Sequence, residues 1–160
     1  MGLWNCTVHN LRRTQAGDCT GIEAGNAAKY NVQNCICTDV TAAGTANCYV
    51  VGARATNNNN LSSDTTASGT GSLTSKTATN QFVSIVGGSE DLHLKTGADA
   101  IDAGTDLGTT PTGVNIDIDG RDRDLEGDTW DIGADEFVSA ASTQMTFTQI
   151  HFAPFSGGLA

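Results

Sequence analysis

The stretch DLHLKTGADAIDAGTDLGTTPTGVNIDIDGRDRDLEGDTWDIGADEF, residues 91–137, carries the strongest structural signal in this chain. It contains most of the acidic residues and Trp130, one of two tryptophans. Leu92 and Leu94 alternate with polar residues, as in a half-buried strand, and Gly and Asp punctuate the rest as in turns. The stretch contains no paired nucleophile and base, no phosphate-binding loop and no His/Cys metal cluster. It therefore indicates a fold more than an activity.

Composition predicts a single all-β domain. The chain has 160 residues, the size of one ordinary domain. Its short β-branched runs are interrupted by Gly, Asn and Asp, which is typical of short strands joined by turns. With eight Lys and Arg in the whole chain, long charged helices are not expected.

The formal net charge of −10 disfavours nucleic acid and anionic membranes as partners, because like charges repel. It is compatible with a bound cation, a basic partner or a solvated surface. No window approaches the roughly 18 apolar residues of a membrane span, and MGLWNCTVHNLRR, residues 1–13, lacks a signal-peptide pattern. We therefore expect no membrane insertion, and either export outside the general secretion route or origin in a longer chain.

A short phrase recurs in the first half of the chain. LWNCTVHN (3–10), YNVQNCICTDV (30–40) and NCYVVGARATNNNNLSSD (47–64) each place Asn and Cys beside a brief apolar alternation. Cys6 and Cys35 both follow an asparagine and lie 29 positions apart. A period in the twenties predicts a solenoid in which equivalent positions stack, so that Asn and Cys form ladders. A β-sandwich with chance similarity between two strands is the alternative.

The cysteines are interpreted as structural. Cys35 and Cys37 are separated by one residue in a β-like run, so both face the same side of a strand. We expect small buried apolar side chains rather than zinc ligands, whose spacing is missing. Because the number is odd, at least one thiol is free or bonded to another chain. The five are Cys6, Cys19, Cys35, Cys37 and Cys48.

Residues 57–80 are polar and rich in Ser, Thr and Gly, so they are predicted to form a long surface loop that packs only Leu61 and Leu73.

Three phrases of the opening stretch carry a family likeness: DLHLKTGADAIDAGTD, DIDGRDRD and DIGADEF. They resemble the C-terminal signature of right-handed parallel β-helix repeat proteins of bacterial and viral surfaces, of the kind described as choice-of-anchor proteins. GIE, NVQNCICTDV and NNNNLSSD resemble the repeats of that family. The resemblance implies a short right-handed parallel β-helix in residues 1–90 and a C-terminal cap at 91–137. It does not explain the extension at 138–160.

A cap is needed because the open end of a solenoid exposes unpaired strand edges and apolar core. Trp130 and Phe137 are the expected packing anchors of the 91–137 cap. The N-terminal end offers no matching cap, and it presents Trp4 close to its first strand. We therefore expect Trp4 to contact an omitted domain, another subunit or a partner surface.

A run of carboxylates in residues 117–128 is the candidate cation site. Its spacing differs from the EF-hand pattern because Gly120 directly follows the second aspartate. Arg121 and Arg123 are expected to neutralise the run through forked pairs, and no other cofactor is predicted. The candidate calcium ligands are Asp117, Asp119, Asp122 and Asp124.

Catalysis is not predicted. Parallel β-helix lyases and hydrolases need paired carboxylates, or calcium with a basic residue. His9 has no acidic partner at a fixed spacing. The remaining candidates are scattered: Arg12, Arg13, Asp18, Glu23, Asp39 and Arg54.

The tail TQMTFTQIHF, residues 143–152, alternates apolar and polar residues with one change of register, which predicts a strand with a bulge. It either folds back along the coils or pairs with a neighbouring subunit, and we favour the second use. The residues expected at that interface are Met145, Phe147, Ile150 and Phe152.

These patterns favour a non-enzymatic structural or interaction protein of an extracellular assembly, in particular a phage virion component such as a decoration, fibre or spike protein. Its expected partners are other copies of itself or other virion or surface proteins. The alternative is a carbohydrate-binding or carbohydrate-cleaving module of a bacterial surface protein. A family resemblance alone does not separate the two.

Overall fold

The computed structural model describes residues 2–26, 30–53, 55–126 and 129–139. The regular elements of these residues are ten short strands and two one-turn helices. In chain order the elements are β1 (Gly2–Trp4), β2 (Thr7–His9), β3 (Cys19–Ala24), β4 (Asn31–Gln33), β5 (Ile36–Thr38), β6 (Ala46–Val51), β7 (Thr56–Asn58), β8 (Leu61–Ser62), α1 (Ala78–Gln81), β9 (Phe82–Ser84), β10 (Asp91–Leu94) and α2 (Arg123–Glu126).

Three parallel sheets stack strands from successive stretches of the chain. β1, β4 and β7 pair in that order, β2, β5 and β8 form a second sheet, and β3 pairs with β6. Thr7 aligns with Ile36, which in turn aligns with Leu61. We call β1–β3 the first level, β4–β6 the second and β7–β8 the third. The predicted strand-rich chain with equivalent positions in parallel register is confirmed.

An asparagine forms the corner between the first two strands of each level. Asn5, Asn34 and Asn59 lie at equivalent positions, with φ angles of 50°, 53° and 50°. This left-handed region is costly for most residues, and Asn adopts it more readily than other non-glycine residues. The predicted asparagine ladder is therefore present. The residue that follows each corner asparagine is Cys6 in the first level, Cys35 in the second and Asn60 in the third. The predicted cysteine ladder therefore covers the first two levels.

The cysteines pack into an apolar core between the sheets. Cys35 and Cys37 have no solvent exposure and lie in one cluster with Val32, Cys48 and Tyr49. All five thiols are free. The expectation that Cys35 and Cys37 share one side of a strand as small buried groups is confirmed.

The opposite face of β5 is covered by a second layer, formed by residues 78–126 and 129–137. Ile36, between the two inward cysteines, and Leu61 are fully buried against this layer. Within it, β9 and β10 form an antiparallel pair. The buried apolar cluster that contains Ile36 and Leu61 also includes six residues of this layer: Ala78, Phe82, Leu94, Ala98, Ala100 and Ile132.

The 91–137 segment lies along the side of the stacked levels, whereas the sequence predicted a plug at one end. Going from the third level to the first, the side-chain amide of Asn59 donates to Ala103 O at 3.0 Å, that of Asn34 to Thr105 O at 2.7 Å and that of Asn5 to Val114 O at 2.6 Å. The segment therefore runs back past all three levels. It covers an outward sheet face, which a linear sequence pattern does not distinguish from an open end.

Gly133 shows how closely this segment approaches the second level. Its φ is 115°, and a Cβ added there would lie 2.7 Å from Ile36 Cδ1. Its N–H donates to Asn34 O at 2.9 Å. A side chain at this position would push the segment away from the sheet, so the glycine of the DIGADEF phrase has a packing reason.

The predicted surface loop at 57–80 is corrected for its first part. Residues of β7 and β8 form the third level, and Asn60, Leu61 and Ser62 are fully buried. Asn60 replaces the cysteine of the previous levels: its Oδ1 accepts from Cys35 N at 2.9 Å, and its Nδ2 donates to Val32 O at 2.8 Å. Polar side chains can be buried when their hydrogen bonds are satisfied. The polar composition of this run therefore did not distinguish a buried strand from a surface loop.

Six further residues that the sequence analysis singled out lie elsewhere in the chain. Trp4 lies in β1 and is half-buried. The predicted interface residues Met145, Phe147, Ile150 and Phe152, together with Arg54, lie outside the described residues.

We expect Asn34→Ala to lower the free energy of unfolding by about 3 kcal/mol. The change removes a residue suited to the left-handed corner. It also leaves Thr105 N and Thr105 O without the partners that Asn34 supplies at 3.0 and 2.7 Å. Urea unfolding followed by far-UV circular dichroism measures the loss.

Asn10→Ala is the matched control. Asn10 has a φ of 55° but is exposed, and its side chain makes no hydrogen bond within the described chain. The Asn10→Ala variant should lose only the preference of asparagine for the left-handed backbone conformation, which lowers the free energy of unfolding by about 1 kcal/mol. Equal losses in the two variants would show that the amide contacts to the second layer contribute nothing.

Candidate functional sites: an acidic turn region and an open sheet edge

The aspartates of the DIDGRDRD phrase are held in tight turns. Asp117 is buried, and its Oδ1 accepts from Asp119 N at 2.9 Å and from Arg121 N at 2.8 Å. Gly120, with a φ of 81°, completes the reversal. This carboxylate thus organises the backbone of the turn.

The other predicted calcium ligands have separate tasks. Asp122 Oδ1 accepts from Asn115 Nδ2 at 2.9 Å, and Asp124 Oδ1 accepts from Trp130 Nε1 at 3.0 Å. Of the four aspartates Asp117, Asp119, Asp122 and Asp124, only Asp119 belongs to a metal-compatible group among the described residues. Asp122 and Asp124 are thus engaged in local contacts, and the four-aspartate calcium set stays a prediction.

The two arginines of this phrase differ in environment. Arg121 is half-exposed, and its Nη1 pairs with Asp119 Oδ2 at 3.0 Å. Arg123 is fully buried and pairs instead with Glu136 Oε2 at 2.8 Å. It also donates to Gly133 O at 2.9 Å and lies 5.9 Å from the Trp130 ring centroid. Arg123 therefore connects the DIDGRDRD and DIGADEF phrases through a buried contact.

Burial dominates the ionisation of the two carboxyls beside Arg123. It raises the pKa of Asp131 to about 6 and that of Glu136 to about 7. For Glu136, the loss of hydration outweighs the attraction of the Arg123 guanidinium and the hydrogen bond from Asp131 N.

A histidine and two aspartates, which the sequence did not connect, meet beside the turn. His93 Nε2 lies 3.2 Å from Asp119 Oδ1, and one ligand atom from each of His93, Asp119 and Asp135 lies within 4.8 Å of the others. They line a cleft of about 370 Å³ together with Arg121 and Phe137. The one sequence signal was the outward position of His93 between Leu92 and Leu94, since the partners lie far along the chain.

The scattered catalytic candidates do not form one constellation in the described chain. Asp18 Oδ1 accepts from Thr45 N at 2.7 Å. His9 has an acidic neighbour that its spacing did not reveal, with Nδ1 3.7 Å from Asp39 Oδ2. Glu23 lines a different cleft, at the first level.

The first strands of the three parallel sheets lie together at one end of the stacked levels. β1, β2 and β3 are each paired on one edge only, and all belong to the first level. Between β1 and β3 a cleft of about 560 Å³ opens, lined by Leu3, Glu23, Tyr30 and Val32 among others. Unpaired strand edges are templates for pairing with another chain.

The described residues include no helix long and apolar enough to cross a membrane.

No protein-family model, curated protein or solved structure matches this chain.

At pH 8, where Glu136 is ionised, we expect Arg123→Met to lower the free energy of unfolding by about 3 kcal/mol or more, because it leaves Glu136 buried without its counter-ion and Gly133 O without a donor. Arg121→Met is the matched control, since the Arg121 pair is half-exposed and should contribute less than about 1 kcal/mol. Chemical unfolding of the two variants gives the comparison. Similar losses of unfolding free energy in the two variants would show that the buried pair contributes no more to stability than the half-exposed pair.

Stability should fall as the pH rises from 5 to 7. The folded chain holds protons on Asp131 and Glu136 that the unfolded chain has released, since the ordinary pKa values are 3.8 and 4.5. Their contribution is complete below about pH 4 and is lost as the pH passes their folded pKa values. We expect a decline of about 3 kcal/mol in the unfolding free energy.

Urea unfolding at several pH values measures this decline, and Glu136→Gln should flatten it. An unfolding free energy that rises between pH 5 and 7 would contradict the assignment.

Proposed function

We propose that the chain is a short right-handed parallel β-helix module with a structural and interaction role in an extracellular assembly. The most specific form of the proposal is a phage virion component such as a decoration, fibre or spike protein. The observation that carries it is the set of three unpaired edges, β1, β2 and β3, on one side of the molecule.

The register of the levels supports the β-helix part of this proposal. Thr7, Ile36 and Leu61 stack in one column, so successive levels are offset by 29 and then 25 positions. Strands of three sheets recur in the same order along the chain. Such an order is what a chain makes when it winds repeatedly around one core.

The chemistry of the first level supports the interaction part. Leu3 and Leu11 are 36% and 39% exposed beside the β1 and β2 edges. Trp4, half-buried in β1, adds an aromatic side chain at the same level. Backbone groups that lack partners, together with exposed apolar side chains, favour addition of strands from another chain. The second layer already covers the outward face of β5, so the first-level edge is the surface we assign to assembly.

The tail contributes a second element to the proposal. Met145, Phe147, Ile150 and Phe152 have the alternation of a strand that pairs with a neighbouring subunit. This part depends on the sequence pattern alone.

We expect the chain to self-associate, and Leu3→Lys with Leu11→Lys to raise the dissociation constant at least tenfold. Lysines at an edge oppose strand addition because pairing would desolvate their charges. Sedimentation velocity over a range of concentrations measures the effect.

Val86→Lys is the matched control, because Val86 is 65% exposed but belongs to the connection between β9 and β10 and not to β1, β2 or β3. A chain that stays monomeric at high concentration would contradict the assembly proposal. A monomer that binds or cleaves polysaccharide would instead support the carbohydrate-module hypothesis.

A further inference from the structure

Three side chains with metal-ligating atoms converge from separate parts of the second layer. His93 lies in β10, Asp119 in the turn organised by Asp117, and Asp135 in the DIGADEF phrase. One ligand atom of each lies within 4.8 Å of the others. Ile118 N donates to Ala134 O at 2.9 Å, which holds the turn beside the last of these segments. The backbone thus fixes the three positions before any ligand is present.

The histidine is oriented for ligation. His93 Nδ1 lies 2.5 Å from Asp91 Oδ1. In the tautomer protonated on Nδ1, this N–H donates a hydrogen bond to the carboxylate, and Nε2 is left for a ligand. Metal-binding histidines are held in this way, with the second ring nitrogen bonded to a carboxylate or carbonyl. Nε2 in turn lies 3.2 Å from Asp119 Oδ1, on the side of the cluster. Asp91 therefore acts as a positioning residue for His93.

The two carboxylates are also partly committed to the fold. Asp135 Oδ2 accepts from Leu94 N at 2.7 Å, and Asp119 Oδ2 pairs with Arg121 Nη1 at 3.0 Å. These contacts fix the orientation of each carboxylate while carboxylate lone pairs remain for a cation.

A buried oxygen without a partner adds an independent observation. Asp117 is 7% exposed, and its Oδ2 has no hydrogen-bond partner among the described residues. Asp117, Asp119 and Asp135 bring three carboxylates to this part of the second layer, where Arg121 supplies one guanidinium. A bound cation would add the positive charge that such closely spaced carboxylates favour.

We propose that His93 Nε2 and the carboxylates of Asp119 and Asp135 bind a divalent transition-metal ion. An imidazole nitrogen with two carboxylates suits zinc and its neighbours, whereas calcium and magnesium prefer oxygen ligands alone. Three protein ligands leave a coordination position open towards the cleft, which is filled by water or by a ligand oxygen. Through these three ligands the bound ion connects β10 with the Asp117 turn and with the DIGADEF phrase.

Titration of the chelator-treated full chain with zinc chloride in a calorimeter tests the proposal, with calcium chloride as the comparison ion. We expect one zinc site, no comparable heat with calcium, and a higher melting temperature with zinc. His93→Ala should weaken zinc binding at least 100-fold, and Asp91→Asn about 10-fold, the scale of an outer-shell effect.

Asp99→Asn is the matched control for the Asp91 variant. Asp99 likewise accepts a hydrogen bond from a basic side chain, that of Lys76 at 2.6 Å, but lies outside the cluster. It should leave zinc affinity unchanged.

Cobalt substitution distinguishes the free thiols as competing ligands. At the proposed site the cobalt spectrum should lack the thiolate charge-transfer band. No zinc binding, or binding that persists in His93→Ala with a thiolate band, overturns the proposal. If His93→Ala does not fold, unchanged zinc affinity in both Asp91→Asn and Asp119→Asn overturns it.

Discussion

The asparagine corner is the constraint on which the rest of the structure depends. Asn5, Asn34 and Asn59 each turn the chain between two strands in a left-handed conformation, and their equivalent positions keep the levels in register. The same side chains donate to the second layer at all three levels. One residue type therefore sets the bend of every level and also attaches the segment that covers it. Few other side chains combine tolerance of positive φ with an amide that can both donate and accept.

The second layer has its own internal connection at Arg123. A buried ion pair is a weak source of stability by itself, because desolvation offsets the attraction. Here the guanidinium also donates to Gly133 O and stacks near Trp130, so it specifies how two phrases far apart in sequence meet. The raised pKa of Glu136 reflects the burial that this arrangement requires. Specific geometry, more than net energy, is what the pair contributes.

The predictions differ in success for physical reasons. Alternation and the repeated Asn-Cys phrase indicated parallel stacking of Cys6 on Cys35, because backbone periodicity is a local property. The polar run around Asn60 was interpreted as a loop, since composition does not show that an asparagine can replace a backbone partner inside a sheet. The four-aspartate calcium set relied on proximity in sequence, whereas in the folded chain Asp122 and Asp124 accept hydrogen bonds from Asn115 and Trp130. His9 and Asp39 were likewise connected only in three dimensions.

By itself the sequence determined the strand-rich character of the chain, its parallel register and the inward position of Cys35 and Cys37, because each follows from residue spacing along one backbone. The tertiary structure decided which face the 91–137 segment covers and which carboxylates meet His93. Those outcomes depend on how separate segments pack against one another, and hydrogen bonds such as Ile118 N to Ala134 O set that packing. A linear pattern carries no information on such distances, so the cluster of His93, Asp119 and Asp135 became visible only in the folded chain.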